Sequence, residues 1–373
     1  MKKNLFYIIL LTNVIGLNSS CQVGNKHATH QSNSYDKTQR MLKQTNLFVE
    51  LPDYAPTPDA MAIAPNGDLI LSCPNFADTK KTGCLIRISK EKSITKIKNT
   101  PVLQTTQKAH FMGLTFDDKG FLYVCDNQGW PGTKKGQNQG RILRLKINGN
   151  RIISSEIIAY GLAHPNGIRF YNGYLFVTQS MLPKFKTEKL TSGIYKFKTS
   201  DRNIKINNDD SDENLIFTNQ TQNADCQYGL DGLVFSDKGE LFVGDFGDGT
   251  IFKLTLDKNG KVKKKIIYAL CSNKIGIDGM NFDKNNNLYI AGFSQNKILK
   301  INSKGKISTI AQYSDNDGTN GKLDQPADVI IYNNKLIISN FDCVTDQNKV
   351  NRKHDKPYTL SSLNILIHAL ITL

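Results

Sequence analysis

Short apolar segments alternate with polar turns along the chain, and two of them recur together as one unit. The unit is an apolar segment, a turn rich in Asn, Asp, Lys and Gly, and a second apolar segment. Apolar runs of about four to eight residues between such turns predict β-strands. The six copies are "PDAMAIAPNGDLILSCP" from Pro58, "FMGLTFDDKGFLYVCDN" from Phe111, "PNGIRFYNGYLFVTQS" from Pro165, "LDGLVFSDKGELFVGDF" from Leu230, "IDGMNFDKNNNLYIAGF" from Ile277 and "PADVIIYNNKLIISNF" from Pro326.

The six copies keep one register. The position usually held by Gly and the Leu of the second strand lie 8 or 9 residues apart in every copy: Ala60/Leu69, Gly113/Leu122, Gly167/Leu175, Gly232/Leu241, Gly279/Leu288 and Asp328/Leu336. A third and a fourth apolar segment follow most copies, so the repeated unit is a four-stranded antiparallel meander. Six such units predict an all-β chain folded as a six-bladed β-propeller.

The strand pattern of the last blade predicts how the ring of blades closes. The sixth copy has a candidate third strand at Tyr358–Ser361 but no fourth strand, whereas an unassigned strand, "NLFVEL" at Asn46–Leu51, precedes the first copy. We expect this N-terminal strand to complete the last blade, which would leave no sheet edge open. The propeller then spans residues 45–362, and the apolar tail at 363–373 has no place in the repeat.

The N-terminus predicts export. Residues 1–21 have two lysines, an apolar stretch from Leu5 to Leu17 and a lipobox-like end at Cys21, the layout of a signal peptide. Residues 22–44 are polar and aperiodic, as in a flexible tether. We expect an exported bacterial lipoprotein, periplasmic or at the cell surface, whose only membrane contact is a lipid on Cys21. A secreted protein is the alternative.

The net charge and the cysteine spacing bear on nucleic-acid binding, zinc binding and disulfide pairing. The net charge is +15, but the lysines are spread over polar turns and no nucleic-acid-binding motif is present. We therefore expect no nucleic-acid partner. Six cysteines follow Cys21 without any zinc-type spacing, and their pairing cannot be read from the sequence.

The residues before the repeat glycine, or its equivalent, carry the candidate chemistry. They are Asp59, Met112, Asn166, Asp231, Asp278 and Ala327. Inner strands of a propeller start near the mouth of the central channel, so these side chains should form a ring. Asp-Gly and Asn-Gly pairs are also common in turns, but carboxylates that converge on one mouth repel each other unless a cation is bound. Oxygen ligands favour Ca²⁺, with Mg²⁺ or Mn²⁺ as further candidates. Zn²⁺ is less favoured because the ring has no His or Cys.

Two of these segments, "HPNGIRF" and "GLDGLVF", resemble motifs of the regucalcin, gluconolactonase and luciferin-regenerating-enzyme family of six-bladed propellers. The resemblance implies that Asn166 and Asp231 bind a metal and that Asp231 is the catalytic base. It also implies that Asp59 takes the place of the Glu that is the family's first ligand. The blade-two segment "AHFMGL", which contains Met112, departs from the family, which often has a polar substrate contact ahead of an Asp-Gly pair there.

The resulting hypothesis is a metal-dependent hydrolase that opens a lactone or sugar-acid lactone. The metal would polarise the carbonyl, and Asp231 would assist the attack of water. A non-catalytic extracytoplasmic binding propeller with a structural ion is the first alternative. A phosphotriesterase-like hydrolase or a quinone-dependent sugar dehydrogenase is the second.

Further residues near the ring are candidates for substrate contact. Asp278 is an additional ring carboxylate, and His110 and His164 each lie two residues before a ring position. Either histidine could equally be structural. Trp130, the only tryptophan, lies in a long polar loop between strands two and three of blade two. That loop is either a lid over the mouth or a solvated hairpin end.

Overall fold

The computed structural model describes residues 42–226, 228–345 and 349–365. The predicted signal peptide, the lipidation site Cys21 and most of the predicted tether lie outside the described residues, and so do residues 366–373. Export and lipidation therefore stay predictions. Within the described residues, no helix has the length and apolar character needed to cross a membrane. The end of the predicted tether is bound to the propeller, because the amide of Lys43 donates to the Ile310 carbonyl at 2.8 Å.

The strands form six antiparallel sheets, as the repeat predicts. Strand β1 (Asn46–Glu50) precedes blade one, which consists of β2 (Met61–Ile63), β3 (Leu69–Cys73), β4 (Cys84–Ile88) and β5 (Ile94–Ile97). Blade two has β6 (Phe111–Phe116), β7 (Leu122–Asp126), β8 (Gly140–Asn148) and β9 (Arg151–Leu162), and blade three has β10 (Pro165–Tyr171), β11 (Tyr174–Gln179), β12 (Leu190–Lys198) and β14 (Leu215–Thr221). A two-residue strand, β13 (Ile204–Lys205), pairs in parallel with β9 and makes blade two five-stranded.

The remaining blades follow the same plan. Blade four has β15 (Leu230–Phe235), β16 (Leu241–Asp245), β17 (Thr250–Leu256) and β18 (Val262–Leu270). Blade five has β19 (Ile277–Phe282), β20 (Leu288–Gly292), β21 (Lys297–Ile301) and β22 (Ile307–Gln312). Blade six has β23 (Pro326–Tyr332), β24 (Lys335–Asn340) and β25 (Thr359–Asn364). Two short 3₁₀ helices, Phe293–Gln295 and Thr319–Gly321, lie in loops.

The N-terminal strand closes the ring, which confirms the predicted fold. Strand β1 pairs antiparallel with β25, so blade six combines the two ends of the propeller. Strand β25 extends to Asn364, three residues beyond the predicted Ser361. Each inner strand also packs against the inner strands of its two neighbours, including β2 against β23. Apolar side chains between adjacent sheets are buried, so the core is distributed around the ring.

The inner strands explain the repeat glycine. In blades two to six the pairing register shifts where the ring residue and the residue after it stand, which marks a β-bulge. A bulge turns a side chain out of the regular alternation. A Cβ atom at Gly232 would lie 2.1 Å from the Asp278 carbonyl oxygen, and one at Gly167 would lie 2.7 Å from the Asp231 carbonyl oxygen. The glycines therefore let neighbouring inner strands approach, and they lie in bulges rather than in turns.

Candidate functional site

Five of the six ring positions converge on one pocket at the channel mouth. Asp59, Met112, Asn166, Asp231 and Asp278 line it, and its volume is about 40 Å³. We call it the acidic pocket. Ala327 does not line the acidic pocket and instead borders the narrow channel below it. The bulges thus place side chains from five blades around a space that holds little more than an ion or a water molecule.

The Asn166 amide orients one carboxylate of the pocket. Its Nδ2 donates to Asp231 Oδ2 at 2.8 Å and lies 3.4 Å from Ser180 Oγ. The backbone carbonyl of Asp231 accepts from Thr178 Oγ1 at 2.7 Å, and the same hydroxyl accepts from the Gly167 amide at 2.8 Å. Blades three and four are therefore tied together directly beneath the pocket, and Asp231 has a defined position.

The other two carboxylates have no such support. No donor among the described residues hydrogen-bonds to the side chain of Asp59 or of Asp278. Asp59 is only 5% exposed, and Asp278 is half-buried. Polar groups in such sites are almost always paired, and since both carboxyl groups line the acidic pocket, water or a bound cation would be their partner there.

Burial and mutual repulsion disfavour ionisation of all three carboxyl groups. Burial, followed by the charge of Asp245, raises the pKa of Asp231 to about 8, although the Lys349 ammonium opposes this shift. Burial, then the charges of Asp328 and Asp231, raises the pKa of Asp59 well above its usual range. The pKa of Asp278 is raised in the same way, first by burial and then by Asp231 and Asp59. A cation in the pocket would remove this penalty.

The donor atoms fit a hard cation. Carboxylate and amide oxygens are ligands for Ca²⁺, which takes six to eight oxygens and often includes water. Among the residues that the structure describes, no three His, Cys, Asp or Glu side chains lie close enough together to form a metal cluster by themselves. The arrangement is therefore an open ring in which Asn166 and water would have to complete the ligand set.

The two histidines that were candidates for substrate contact line different cavities. His164 lines the acidic pocket, where burial lowers its pKa to about 4, and its Nδ1 has no hydrogen-bond partner among the described residues. His110 does not reach this pocket. It lines a neighbouring cavity, and its Nδ1 lies 3.0 Å from the Pro74 carbonyl oxygen. Since burial also lowers the pKa of His110, both rings are neutral near pH 7.

An aromatic wall surrounds most of the mouth, and sequence reasoning missed it. The rings form a chain of neighbours with centroid distances of 4.1 to 6.4 Å: Phe76–Trp130, Trp130–Phe341, Phe341–Phe293, Phe293–Phe246 and Phe246–Tyr228. Phe246, Phe293 and Phe341 each follow the second strand of their blade directly. The signal was present in the sequence, since three of the six copies end in Phe.

Lys349 is a second residue that the repeat did not reveal. It lies in the loop between β24 and β25, is 5% exposed and lines the acidic pocket. Its Nζ donates to Thr345 Oγ1 at 2.6 Å and lies 4.9 Å from the Phe293 ring centroid. The ammonium group therefore adds a positive charge beside the carboxylates.

Asp328 is a further carboxyl group, and it replaces the repeat glycine in blade six. Its Oδ2 accepts from the Met61 amide at 2.9 Å, whereas its Oδ1 is buried without a partner among the described residues. The side chain lies so close to Gly279 that a Cβ atom there would be 2.1 Å from Asp328 Oδ1. Asp328 borders the channel below the acidic pocket together with Arg169, which opposes the rise in its pKa caused by burial.

Solved structures share this fold at low sequence identity. A luciferin-regenerating enzyme is 13% identical, with 87% of this chain and 95% of that chain covered and a TM-score of 0.57. Regucalcin from Agrobacterium tumefaciens, described as a calcium-binding protein, is 13% identical, with coverage of 85% and 92% and a TM-score of 0.55. A gluconolactonase from Xanthomonas campestris is 12% identical, with coverage of 86% and 90% and a TM-score of 0.51.

The same fold also occurs with other chemistry. An aldose sugar dehydrogenase from Streptomyces coelicolor, in a PQQ-bound form, is 14% identical, with coverage of 86% and 97% and a TM-score of 0.54. No protein-family model and no curated protein matches the chain. The structural neighbours are thus the six-bladed propellers that the motifs resemble, and at these identities the likeness shows the fold alone.

Proposed function

We propose that this protein is a divalent-cation-dependent hydrolase that opens lactones at the acidic pocket. One observation carries the proposal. Four oxygen-bearing side chains from four blades, Asp59, Asn166, Asp231 and Asp278, converge on one pocket, and two of their carboxylates have no protein donor among the described residues. The fold shared with a calcium-binding regucalcin and a gluconolactonase is consistent with this chemistry.

Asp59, Asn166 and Asp231 would hold the cation, with Asp278 as an additional ligand. Ca²⁺ is the first candidate because all donor atoms are oxygens, and Mg²⁺ or Mn²⁺ would also suit them. Zn²⁺ fits less well because no His or Cys belongs to the donor set. A divalent cation in this pocket would polarise the carbonyl group of a cyclic ester and lower the pKa values of the surrounding carboxyl groups.

Asp231 is the residue placed to move a proton. The hydrogen bond from Asn166 Nδ2 fixes Oδ2, which leaves Oδ1 to accept a proton from water. The water oxygen attacks the carbonyl carbon, the ring C–O bond breaks, and the leaving oxygen takes up a proton to give a hydroxy acid. Lys349 then provides a positive charge near the new carboxylate.

The test is hydrolysis of a lactone panel, from gluconolactone to long-chain lactones, by the full chain with EDTA and then with added Ca²⁺. We expect activity to be lost in EDTA and restored by Ca²⁺. Asp231→Asn should lower kcat by about 10²–10⁴-fold because the base is removed with little change in shape. Asp237→Asn, an exposed change in the next turn of the same blade, is the matched control and should leave kcat unchanged.

Two outcomes would contradict the proposal. If folded, Ca²⁺-loaded protein turned over no lactone, the chain would be better described as a binding propeller with a structural ion. If the purified protein carried a quinone absorbance band and oxidised sugars, the dehydrogenase alternative would replace hydrolysis. Equal activity of the wild type and Asp231→Asn would remove Asp231 from its assigned role.

A further inference from the structure

A second and larger cavity lies beside the acidic pocket. Its volume is about 450 Å³, and Trp130 lines both spaces. Small-molecule sites usually have volumes of about 300–1,000 Å³. The acidic pocket, at about 40 Å³, has room for an ion and the reacting group but not for the rest of a substrate. We call the larger space the side cavity.

One wall of the side cavity is aromatic and is formed by Phe76, His110 and Trp130. The rings of Phe76 and Trp130 are stacked, with centroids 4.1 Å apart and planes 12° apart, and Phe76 also packs on His110 at 4.9 Å. Pro131 extends the apolar surface next to Trp130. A flat, rigid surface of this kind favours an apolar ring in the ligand.

The two side-chain amide groups that donate hydrogen bonds in the side cavity, those of Gln128 and Asn75, donate to protein acceptors. Gln128 Nε2 donates to Asp126 Oδ1 at 2.7 Å and to the Lys108 carbonyl at 3.1 Å, and its Oε1 accepts from Thr106 Oγ1 at 2.7 Å. Asn75 Nδ2 donates to the backbone carbonyls of Tyr54 and Thr82, whereas its Oδ1 is buried without a partner among the described residues. The amide donors are therefore not available to the hydroxyl groups of a polyhydroxylated sugar, which would lose hydrogen bonds to water on entering.

The charge of the side cavity is opposite to that of the acidic pocket. Lys108 and Lys135 line it, and none of the described residues that line it is an Asp or a Glu. Lys108 Nζ donates to the Lys80 carbonyl at 2.8 Å, so this charge has a defined position. An anionic substituent on the ligand would thus be attracted here, whereas the acidic pocket attracts cations.

We propose that the side cavity binds an apolar ring that carries a negatively charged substituent, in preference to a polyhydroxylated sugar. A role of the cavity in binding the non-reacting part of the substrate rests on the proposed lactone hydrolysis. In that role, the cavity would narrow the substrate class from sugar lactones to hydrocarbon lactones. As a ligand site, it does not depend on hydrolysis.

The single tryptophan makes the test direct. Trp130 is the only Trp of the chain and lines the cavity, so its emission reports on ligand entry without turnover. We would titrate the full chain, in EDTA, with three probes that do not absorb at the excitation wavelength: 3-cyclohexylpropionate, 3-cyclohexylpropanol and gluconate. We expect a saturable change with cyclohexylpropionate, at a Kd at least about tenfold lower than for gluconate, because only the former buries apolar surface.

Two variants localise the signal. Phe76→Ala removes the stacking partner of Trp130 and should weaken cyclohexylpropionate binding by about tenfold. The matched control is Tyr171→Ala, which removes one ring of a comparable stack, Tyr171 on Phe235 at 4.2 Å, away from the cavity. This control should leave the affinity unchanged.

The outcomes separate the two proposals. Absence of a saturable response to cyclohexylpropionate, or equal affinity for gluconate, would overturn the side-cavity proposal. Saturable binding without hydrolysis of any lactone would leave the ligand site standing and remove the hydrolase. Efficient hydrolysis of gluconolactone by a protein that does not respond to cyclohexylpropionate would keep the hydrolase and reject the substrate class.

Discussion

The acidic pocket and the side cavity meet at Trp130, but they are built in different ways. The acidic pocket is small and oxygen-rich, and its three carboxyl groups and its Asn amide occupy equivalent positions in four different blades. The side cavity is about ten times larger, aromatic and bordered by lysines, and its residues come from loops that occur once. Repeated positions can create a ring of like groups, whereas only unrepeated loops can create a space of individual shape.

In the proposed hydrolase, this difference would separate the two tasks of the site. Polarising and deprotonating groups must be held within tenths of an ångström, which the paired inner strands of the propeller provide. Selection among substrates needs a surface that can vary, and loops on a rigid scaffold supply it. The experiments that follow test whether the two regions are as independent as their construction indicates.

The largest of the three expected effects concerns cation binding. The double substitution Asp59→Asn and Asp278→Asn removes two charges from the acidic pocket and should lower Ca²⁺ affinity at least tenfold, by a rough estimate from the ligand charge count. Calorimetric titration with Ca²⁺ would measure it, with the exposed Asp237→Asn as control. The affinity of the side cavity for cyclohexylpropionate should not change. An unaltered Ca²⁺ affinity would show that the ring carboxylates do not bind the ion.

A smaller effect concerns the dependence of the free energy of unfolding on pH. The pKa of Asp231 is about 8 and that of Asp245 about 6 in the folded protein, both raised from 3.8 chiefly by burial. Between roughly pH 4 and pH 8 the folded state therefore binds more protons than the unfolded state, so the free energy of unfolding falls as pH rises.

Melting temperatures at pH 5 and pH 8 would measure this slope. In EDTA we expect a lower melting temperature at pH 8, and Ca²⁺ should reduce the difference because a bound cation stabilises the ionised carboxylates. His164 opposes this slope between about pH 4 and pH 6.5, because burial lowers its pKa from 6.5 to about 4 and the unfolded state then binds more protons. Equal melting temperatures at both pH values in EDTA would contradict the raised pKa values.

The smallest effect concerns the charge of the side cavity. Lys135 is exposed, so Lys135→Gln should weaken cyclohexylpropionate binding only about two- to threefold at low salt. The difference should vanish near 0.5 M salt, roughly where screening shortens electrostatic range to a few ångströms. Trp130 emission measures both, and Lys119→Gln, an exposed lysine elsewhere in blade two, is the control. Identical salt dependence of the wild type and Lys135→Gln would rule out a contribution from Lys135.

Sequence alone determined the fold because its signals are local and repeated. Strand alternation and turn residues recur six times in one register, so even the closing strand at Asn46–Glu50 could be placed before the structure was known. The ring residues followed from the same register. Symmetry predicts that the side chains at all six equivalent positions meet at the channel, and in the structure five of them line the acidic pocket.

Tertiary structure decided everything that the repeat does not encode. His110 and His164 stand at equivalent distances from ring positions, yet the ring of one faces the side cavity and the other faces the acidic pocket. Trp130 lines the acidic pocket and packs on Phe76 from another blade, a contact that the sequence did not indicate. Such contacts join loops that are distant along the chain, and their geometry depends on side-chain packing between blades, which no periodicity records.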